Sequence, residues 1–294
     1  MSNMATYVLS AKTFALAELE KATDKFSSKR ILGEGGFGCV YCGIMEDETE
    51  VAVKLLTRDN QNGDCEFIAE VEMLSQLHHR NLLKLIGICI EGWTWCLVYE
   101  LVRNGNVESH LSGVDKNKGP LDWDAQMKIA LGVARELAYL HEDSNPCVSD
   151  FGLAREATEG SRQISTRVMG TFGYVASEYA MAGHLLVKND VYSYGVVLPE
   201  LLTGRKPVDM SQPTGQENLV TWAWPLLTSR EGLEQLVDPS LAGSYDFDDT
   251  AEVVAIASMC VHPEVTHRPF MGEVVQVLKL IYNDTDETCG DCCS

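Results

Sequence analysis

The stretch that decides the fold runs from Gly33 to Lys54. It opens with Gly33-Glu34-Gly35-Gly36-Phe37-Gly38-Cys39-Val40, a Gly-x-Gly-x-x-Gly-x-Val pattern, and closes with Val51-Ala52-Val53-Lys54. Glycines let a backbone approach phosphate groups and adopt positive φ. In dinucleotide-binding folds a helix follows the last glycine, whereas here both flanking runs are strand-like. The pattern therefore predicts a glycine-rich hairpin and then a strand whose Lys54 offers a point charge to phosphates.

Two carboxylates further along the chain are candidates for phosphate chemistry. Residues 64–78 carry apolar side chains at helical spacing, which predicts a helix containing Glu70. We expect Glu70 to pair with Lys54; the alternative is a solvated helix face. Asp150, in Asp150-Phe151-Gly152, is expected to hold the Mg²⁺ that bridges nucleotide phosphates; the alternative is a surface turn.

The character of the chain changes near Asn104-Gly105. Before this point the sequence predicts a short helix over 14–26 and strands over 31–40, 50–56, 82–89 and 95–100. After it, helical periodicity dominates, and the predicted helices span 122–141, 186–203, 217–228, 231–237, 247–260 and 270–282. The expected fold class is α+β, with a β-rich N-terminal lobe and an α-rich C-terminal lobe.

Composition limits the possible functions. The 294 residues are 45% hydrophobic, enough for a sizeable core, and carry a net charge of −20. Nucleic-acid surfaces need clustered Lys and Arg, so a nucleic-acid partner is not expected. The chain contains no run of about 18 apolar residues, so a membrane span is not expected. Ten cysteines without a disulfide-like spacing favour a reduced, cytoplasmic protein.

Several phrases extend the pattern over most of the chain. They are Thr13-Phe14, Glu18-Leu19-Glu20-Lys21-Ala22-Thr23, His78-His79-Arg80-Asn81-Leu82, Leu97-Val98-Tyr99-Glu100, Ile164-Ser165-Thr166-Arg167-Val168-Met169-Gly170-Thr171, Asp190-Val191-Tyr192-Ser193-Tyr194-Gly195 and His267-Arg268-Pro269. Together they resemble the plant receptor-like and receptor-like cytoplasmic kinases, relatives of the Pelle and interleukin-receptor-associated kinases. The resemblance implies a bilobal protein-kinase fold: an extension over 1–26, an N-lobe over 27–102, a C-lobe over 103–282 and a tail over 283–294.

The resemblance also implies an activity, the transfer of the ATP γ-phosphate to protein Ser or Thr with Mg²⁺. The residues matching the family's nucleotide site are Leu32, Gly33, Gly35, Gly38, Val40, Ala52, Lys54, Tyr99, Glu100 and Val102, with Tyr99 as the gatekeeper and Glu100 to Val102 as the hinge. Activation-loop positions are Ser165, Thr166 and Thr171. Matched structural positions are Asp190, which anchors the family's catalytic loop, and the ion pair Glu178–Arg268. Implied partners are protein substrates, partner kinases or receptors, in the cytoplasm or at the inner face of the plasma membrane through those partners.

One part of the family pattern is missing. The catalytic loop His-Arg-Asp-x-x-x-x-Asn supplies the base and a metal ligand, yet no His-Arg-Asp occurs anywhere in the chain. Only eight residues separate His141 from Asp150, so the gap falls between about 146 and 149 and comprises roughly 20 residues of the family pattern. No catalytic residue is identifiable, and we expect little or no phosphotransfer. Three alternatives remain open: a kinase whose gap is a splicing or sequence-record artefact, a pseudokinase binding module, or a product without function.

The gap has expected physical consequences. Asp190 should lose the backbone that it anchors, and a buried carboxylate without partners is costly. The apolar faces of the helices over 122–141 and 186–203 should become exposed. Two further departures are Ser177 in place of the Pro of Ala-Pro-Glu, and Pro199 inside a predicted helix, where proline costs about 3 kcal/mol.

Overall fold

The computed structural model describes residues 12–35, 38–56, 67, 71, 77, 79–111, 121–143, 173–176, 187–241 and 243–282. These residues form two compact units that divide between Asn104 and Gly105. The first unit contains the short strand β1 (Lys12–Thr13), helix α1 (Leu16–Ala22) and the strands β2 (Ile31–Gly35), β3 (Gly38–Ile44), β4 (Glu50–Leu56), β5 (Leu85–Glu91) and β6 (Thr94–Glu100).

The six strands form one sheet in the order β1-β5-β6-β4-β3-β2. All neighbours are antiparallel except β1, which runs parallel to β5. Gly92, with φ of 56°, allows the tight turn between β5 and β6. The strands predicted over 50–56, 82–89 and 95–100 correspond to β4, β5 and β6. The stretch predicted as one strand over 31–40 instead contributes to two, β2 and β3, because it contains the glycine-rich end of the hairpin. β1 was not predicted, since two residues cannot show a period.

The two faces of the sheet bury different clusters. Alternation along β4 sends Val51 and Val53 to one face, where they pack with Phe14 and Leu19 of the N-terminal segment. Ala52 faces the other side and packs with a cluster that includes Phe67, Val71, Ile88, Leu97 and Tyr99. Phe67 and Val71 are the described helical positions of the predicted helix over 64–78, and both are buried.

The second unit is helical. Its helices are α2 (Val107–Leu111), α3 (Trp123–Ala138), α4 (Val187–Thr203), α5 (Leu219–Ala223), α6 (Arg230–Leu236), α7 (Phe247–Cys260) and α8 (Met271–Ile281). A π-helical turn, Tyr139–Asp143, continues α3. One core cluster joins α3, α4, α7 and α8. Helix α4 runs without a break through Pro199, which is buried.

The expected exposure of apolar helix faces is wrong for the described residues. No large apolar side chain of α3 or α4 is among the exposed ones in the described part of the chain. Leu131 and Ala134 of α3, and Val191 and Leu198 of α4, are instead fully buried in the helical core. Both helices keep their cover because they pack on each other and on α7 and α8, which are present in full.

Candidate active site

The register of the sheet brings four predicted nucleotide residues to one face. Val40 of β3 lies directly opposite Lys54 of β4. Ala52, two residues before Lys54, lies opposite Tyr99 of β6. Directly opposed residues share a face, and so do residues two apart in a strand. Val40, Ala52, Lys54 and Tyr99 therefore form one patch across three neighbouring strands.

The glycine hairpin borders this patch. Gly33 pairs with Val40, and Gly35 pairs with Gly38, next to the tip of the hairpin. Gly38 has φ of 131°, and a Cβ there would lie 2.1 Å from the carbonyl oxygen of Leu55, so no other residue fits without backbone movement. A Cβ at Gly33 would meet nothing within 4 Å. Gly38 is thus required by the hairpin itself, whereas Gly33 faces open space.

The other border of the patch is formed by the residues at the end of β6. Tyr99 is buried, and Glu100 forms hydrogen bonds with Lys84, the residue before β5. The backbone N–H of Lys84 donates to Glu100 Oε1 at 3.0 Å, and the Glu100 N–H donates to the Lys84 carbonyl at 3.1 Å. Val102 follows two residues later with 59% of its surface exposed. The chain therefore leaves the sheet here with its backbone position fixed.

This geometry fits a nucleotide. Leu32 is 51% exposed and Val102 is 59% exposed, which leaves two large apolar side chains for a flat aromatic base to cover. Within the patch, Ala52 is a small apolar residue and Lys54 carries the positive charge. The described residues contain no group of three His, Cys, Asp or Glu side chains that could hold a metal ion.

Six predicted positions lie outside the described residues: Glu70, Asp150, Ser165, Thr166, Thr171 and Glu178. The Lys54–Glu70 and Glu178–Arg268 ion pairs and the Asp150 metal site therefore stay predictions. Arg268 itself is 2% exposed. Its Nε donates to the His262 carbonyl at 2.8 Å and its Nη1 to the Lys188 carbonyl at 3.1 Å.

The expectation that Asp190 lacks a partner is wrong. Its Oδ2 lies 2.9 Å from Nε2 of His141, and the Asp190 side chain is 21% exposed. His141 belongs to the π-helical turn that ends just before the gap. The next residue, Glu142, accepts a hydrogen bond from the Gly272 N–H at 2.8 Å, at the start of α8. Two helices thus hold this turn.

A second polar contact in the helical unit was not predicted. The hydroxyl of Tyr174 donates to Glu200 Oε2 at 2.5 Å, and Glu200 is a buried residue of α4. Burial raises the pKa of Glu200. Burial, together with the bond to Glu200, also raises the pKa of Tyr174 far above its ordinary range. No sequence motif predicts this pair, because Tyr174 and Glu200 lie in different segments of the chain.

The fold and the site agree with similarity to known proteins. Residues 26–278 match the family model described as protein tyrosine and serine/threonine kinase. The β-sheet unit with its glycine hairpin and strand lysine, followed by the helical unit, defines a protein-kinase domain. The chain belongs to this family, and within it to the serine/threonine kinases of the plant receptor-like group. The family resemblance read from the motifs is confirmed, while the missing catalytic loop stays a prediction.

Three relatives from Arabidopsis thaliana illustrate the group. The receptor-like serine/threonine-protein kinase ALE2 is 75% identical over the whole chain, which spans 42% of ALE2. The probable serine/threonine-protein kinase PBL23 is 46% identical over 93% of the chain and 77% of its own length. The serine/threonine-protein kinase PBS1 is 44% identical over 96% of the chain and 67% of its own length.

The chain is shorter than the region it matches. The alignment with ALE2 runs over 314 positions, 20 more than the 294 residues of this chain. ALE2 therefore has at least 20 residues there without a counterpart in this chain. Within the described residues, no helix combines the length and the apolar character needed to cross a membrane.

Proposed function

We propose that this chain binds Mg-ATP through its N-terminal lobe and transfers phosphate poorly or not at all. The observation that carries the binding half is the patch of Val40, Ala52, Lys54 and Tyr99, which the strand register gathers on one face beside the glycine hairpin. Val40 offers apolar contact to the base, and Ala52 leaves room beneath it. Lys54 provides a charge for the phosphates, and Tyr99 closes the back of the site.

The second half of the proposal rests on the sequence. Phosphoryl transfer depends on positioning and on a residue that accepts the substrate hydroxyl proton. The chain has no His-Arg-Asp motif, and its relative ALE2 carries at least 20 additional residues in the matched region. Protein Ser or Thr is the substrate class expected of the family, and Mg²⁺ would be held by Asp150. In this form the chain acts as a nucleotide-binding pseudokinase that engages protein partners, in the cytoplasm or at the plasma membrane.

Calorimetric titration with Mg-ATP tests the binding half. The unmodified chain should bind, Lys54→Met should bind about tenfold more weakly through loss of a phosphate contact, and Ala52→Leu should block the base. Lys29→Met, at an exposed position on the turn before β2, is the charge-matched control and should bind normally. Equal affinity of Lys54→Met and the unmodified chain would contradict the assignment of Lys54.

A further inference from the structure

The N-terminal segment 14–26 is part of the β-sheet unit, although the family match begins only at residue 26. Phe14, Leu19, Ala22 and Thr23 are all buried, Thr23 completely. Phe14 and Leu19 pack in the cluster on the sheet face opposite the nucleotide patch. The segment therefore closes the back of the sheet that carries the glycine hairpin.

A left-handed turn ends α1. Asp24, Lys25 and Phe26 have φ values of 54°, 56° and 53°. L-residues avoid this conformation, and a run of three is unusual because each Cβ crowds the following carbonyl. Such a turn persists only where its surroundings impose it.

The Thr23 side chain forms hydrogen bonds on both sides of this turn. Its buried hydroxyl donates to the Leu19 carbonyl at 2.7 Å and accepts from the Phe26 N–H at 3.0 Å. The Ser27 N–H donates to the Thr23 carbonyl at 3.2 Å. One side chain thus ties the last turn of α1 to the end of the left-handed run.

The turn leads directly into the glycine hairpin. The 3₁₀ turn Ser28–Arg30 follows it, and β2 begins at Ile31. The Phe26 ring packs edge-on against Tyr41 with centroids 5.4 Å apart. Tyr41 lies opposite Ile31 in the β2–β3 ladder. Phe26 therefore contacts the base of the hairpin, where β2 begins opposite the second half of β3.

A second contact holds the same base from α1. A Cβ added to Gly43 of β3 would lie 3.1 Å from Val51 Cγ2, and 3.5 Å from both Ala22 Cβ and Thr23 Cγ2. A methyl group there would be tight against Val51 and in ordinary van der Waals contact with Ala22 and Thr23. The absence of a side chain at Gly43 lets the end of α1 lie close to the strand.

We propose that Thr23 is a positioning residue for nucleotide binding. Its hydroxyl holds the Asp24–Phe26 turn, and the turn fixes the base of the β2–β3 hairpin through Phe26–Tyr41 and through the close approach of α1 to Gly43. The hairpin is thereby presented to phosphates in one orientation, which reduces the ordering that binding must impose. The affinity part of this inference rests on the proposed nucleotide binding; the holding of the hairpin does not.

Hydrogen exchange measured by mass spectrometry tests the holding of the hairpin without nucleotide. Thr23→Val removes both hydroxyl bonds at nearly constant volume, and exchange of the amides over 31–44 should accelerate about tenfold. Thr23→Ser keeps the hydroxyl and should restore slow exchange. Phe26→Leu and Gly43→Ala disturb the two contacts independently and should accelerate exchange in the same peptides.

Unchanged exchange over 31–44 would overturn the inference. So would an equal acceleration in β5–β6 and in the helices of the second unit, because that result means general destabilisation. Mg-ATP titration of the same variants is the second arm. If the unmodified chain binds and Thr23→Val binds about three- to tenfold more weakly, the affinity part holds; equal binding refutes it. If the unmodified chain does not bind, the proposed function fails, while the exchange data still decide whether Thr23 holds the hairpin.

Discussion

Glu136 of α3 is a partly buried acid. Burial raises its pKa to about 7, and loss of hydration is the cause. An acid whose pKa is higher in the folded state binds its proton more tightly there. The contribution of Glu136 to folding stability is therefore fully present below its ordinary pKa of 4.5, and it is lost as pH rises through about 7.

Glu136→Gln should remove this decline, because the amide carries no charge to desolvate. At pH 8 we expect the variant to unfold with a free energy about 1–2 kcal/mol higher than the unmodified chain, a value reduced for partial exposure of the side chain. Urea unfolding from pH 4.5 to 8 measures it. Glu20→Gln, at an exposed position of α1, is the control and should leave the pH profile unchanged. A parallel decline in Glu136→Gln would assign the pH dependence to other groups.

Arg268 is the most deeply buried cation among the described residues. Arg268→Ala removes its charged hydrogen bonds to the His262 and Lys188 carbonyls, at a cost of about 3 kcal/mol. Thermal unfolding against the exposed control Arg80→Ala checks this. A double-mutant cycle with Glu178→Ala tests the predicted ion pair, since coupling of less than about 0.5 kcal/mol would exclude it.

At this scale the sequence predicted which residues share the nucleotide patch but not which polar groups pair. Val40, Ala52, Lys54 and Tyr99 were assigned to one site by resemblance to the kinase family, and the strand register brings them to one face of the sheet. His141–Asp190 and Tyr174–Glu200 join segments far apart in sequence, so no local pattern announces them. The prediction for Asp190 failed because it assumed that the missing loop was the carboxylate's sole partner.

Elements were predicted best where the apolar period is long. The helix predicted over 186–203 is observed as Val187–Thr203, and that over 247–260 as Phe247–Cys260. Short elements such as β1 and α2 were missed, since two to five residues cannot show a period. The left-handed run at 24–26 could not be foreseen, because it contradicts the local preferences of Lys and Phe and depends on the buried Thr23.

Replacing Pro199 measures the cost of a proline inside helix α4. A residue with an N–H at 199 could donate to the Gly195 carbonyl, as a regular helix requires, whereas proline cannot. Pro199 and Gly195 also line a small, wholly apolar cavity with residues of α5, α6 and α7. Pro199→Leu should restore the bond and fill space, raising the free energy of unfolding by about 1–3 kcal/mol.

Differential scanning calorimetry of Pro199→Leu should show a melting temperature several degrees higher. Pro263→Leu, at an exposed loop proline, is the matched control and should give no increase. A lower melting temperature for Pro199→Leu would mean that the helical core has adapted to the proline ring.

At the scale of the whole molecule, the N-terminal unit forms one six-stranded sheet, while the chain contains no His-Arg-Asp motif. The sequence predicted the fold because motifs are spread over nearly all of it. It could not predict that α3 and α4 stay covered, since that depends on how α7 and α8 pack against them. The described residues of α3 and α4 accordingly include no exposed large apolar side chain.

The measurement that tests this account most directly is radiolabelled phosphate transfer from Mg-ATP, with autophosphorylation as the readout. Four proteins are compared: the unmodified chain, the same chain with Lys54→Met, a repaired chain with a relative's Ile-His-Arg-Asp…Asn segment inserted between Pro146 and Cys147, and the repaired chain with Lys54→Met. The account predicts background labelling of the unmodified chain, clear labelling of the repaired chain, and loss of that labelling with Lys54→Met. Strong labelling of the unmodified chain that Lys54→Met abolishes in that same chain would contradict it.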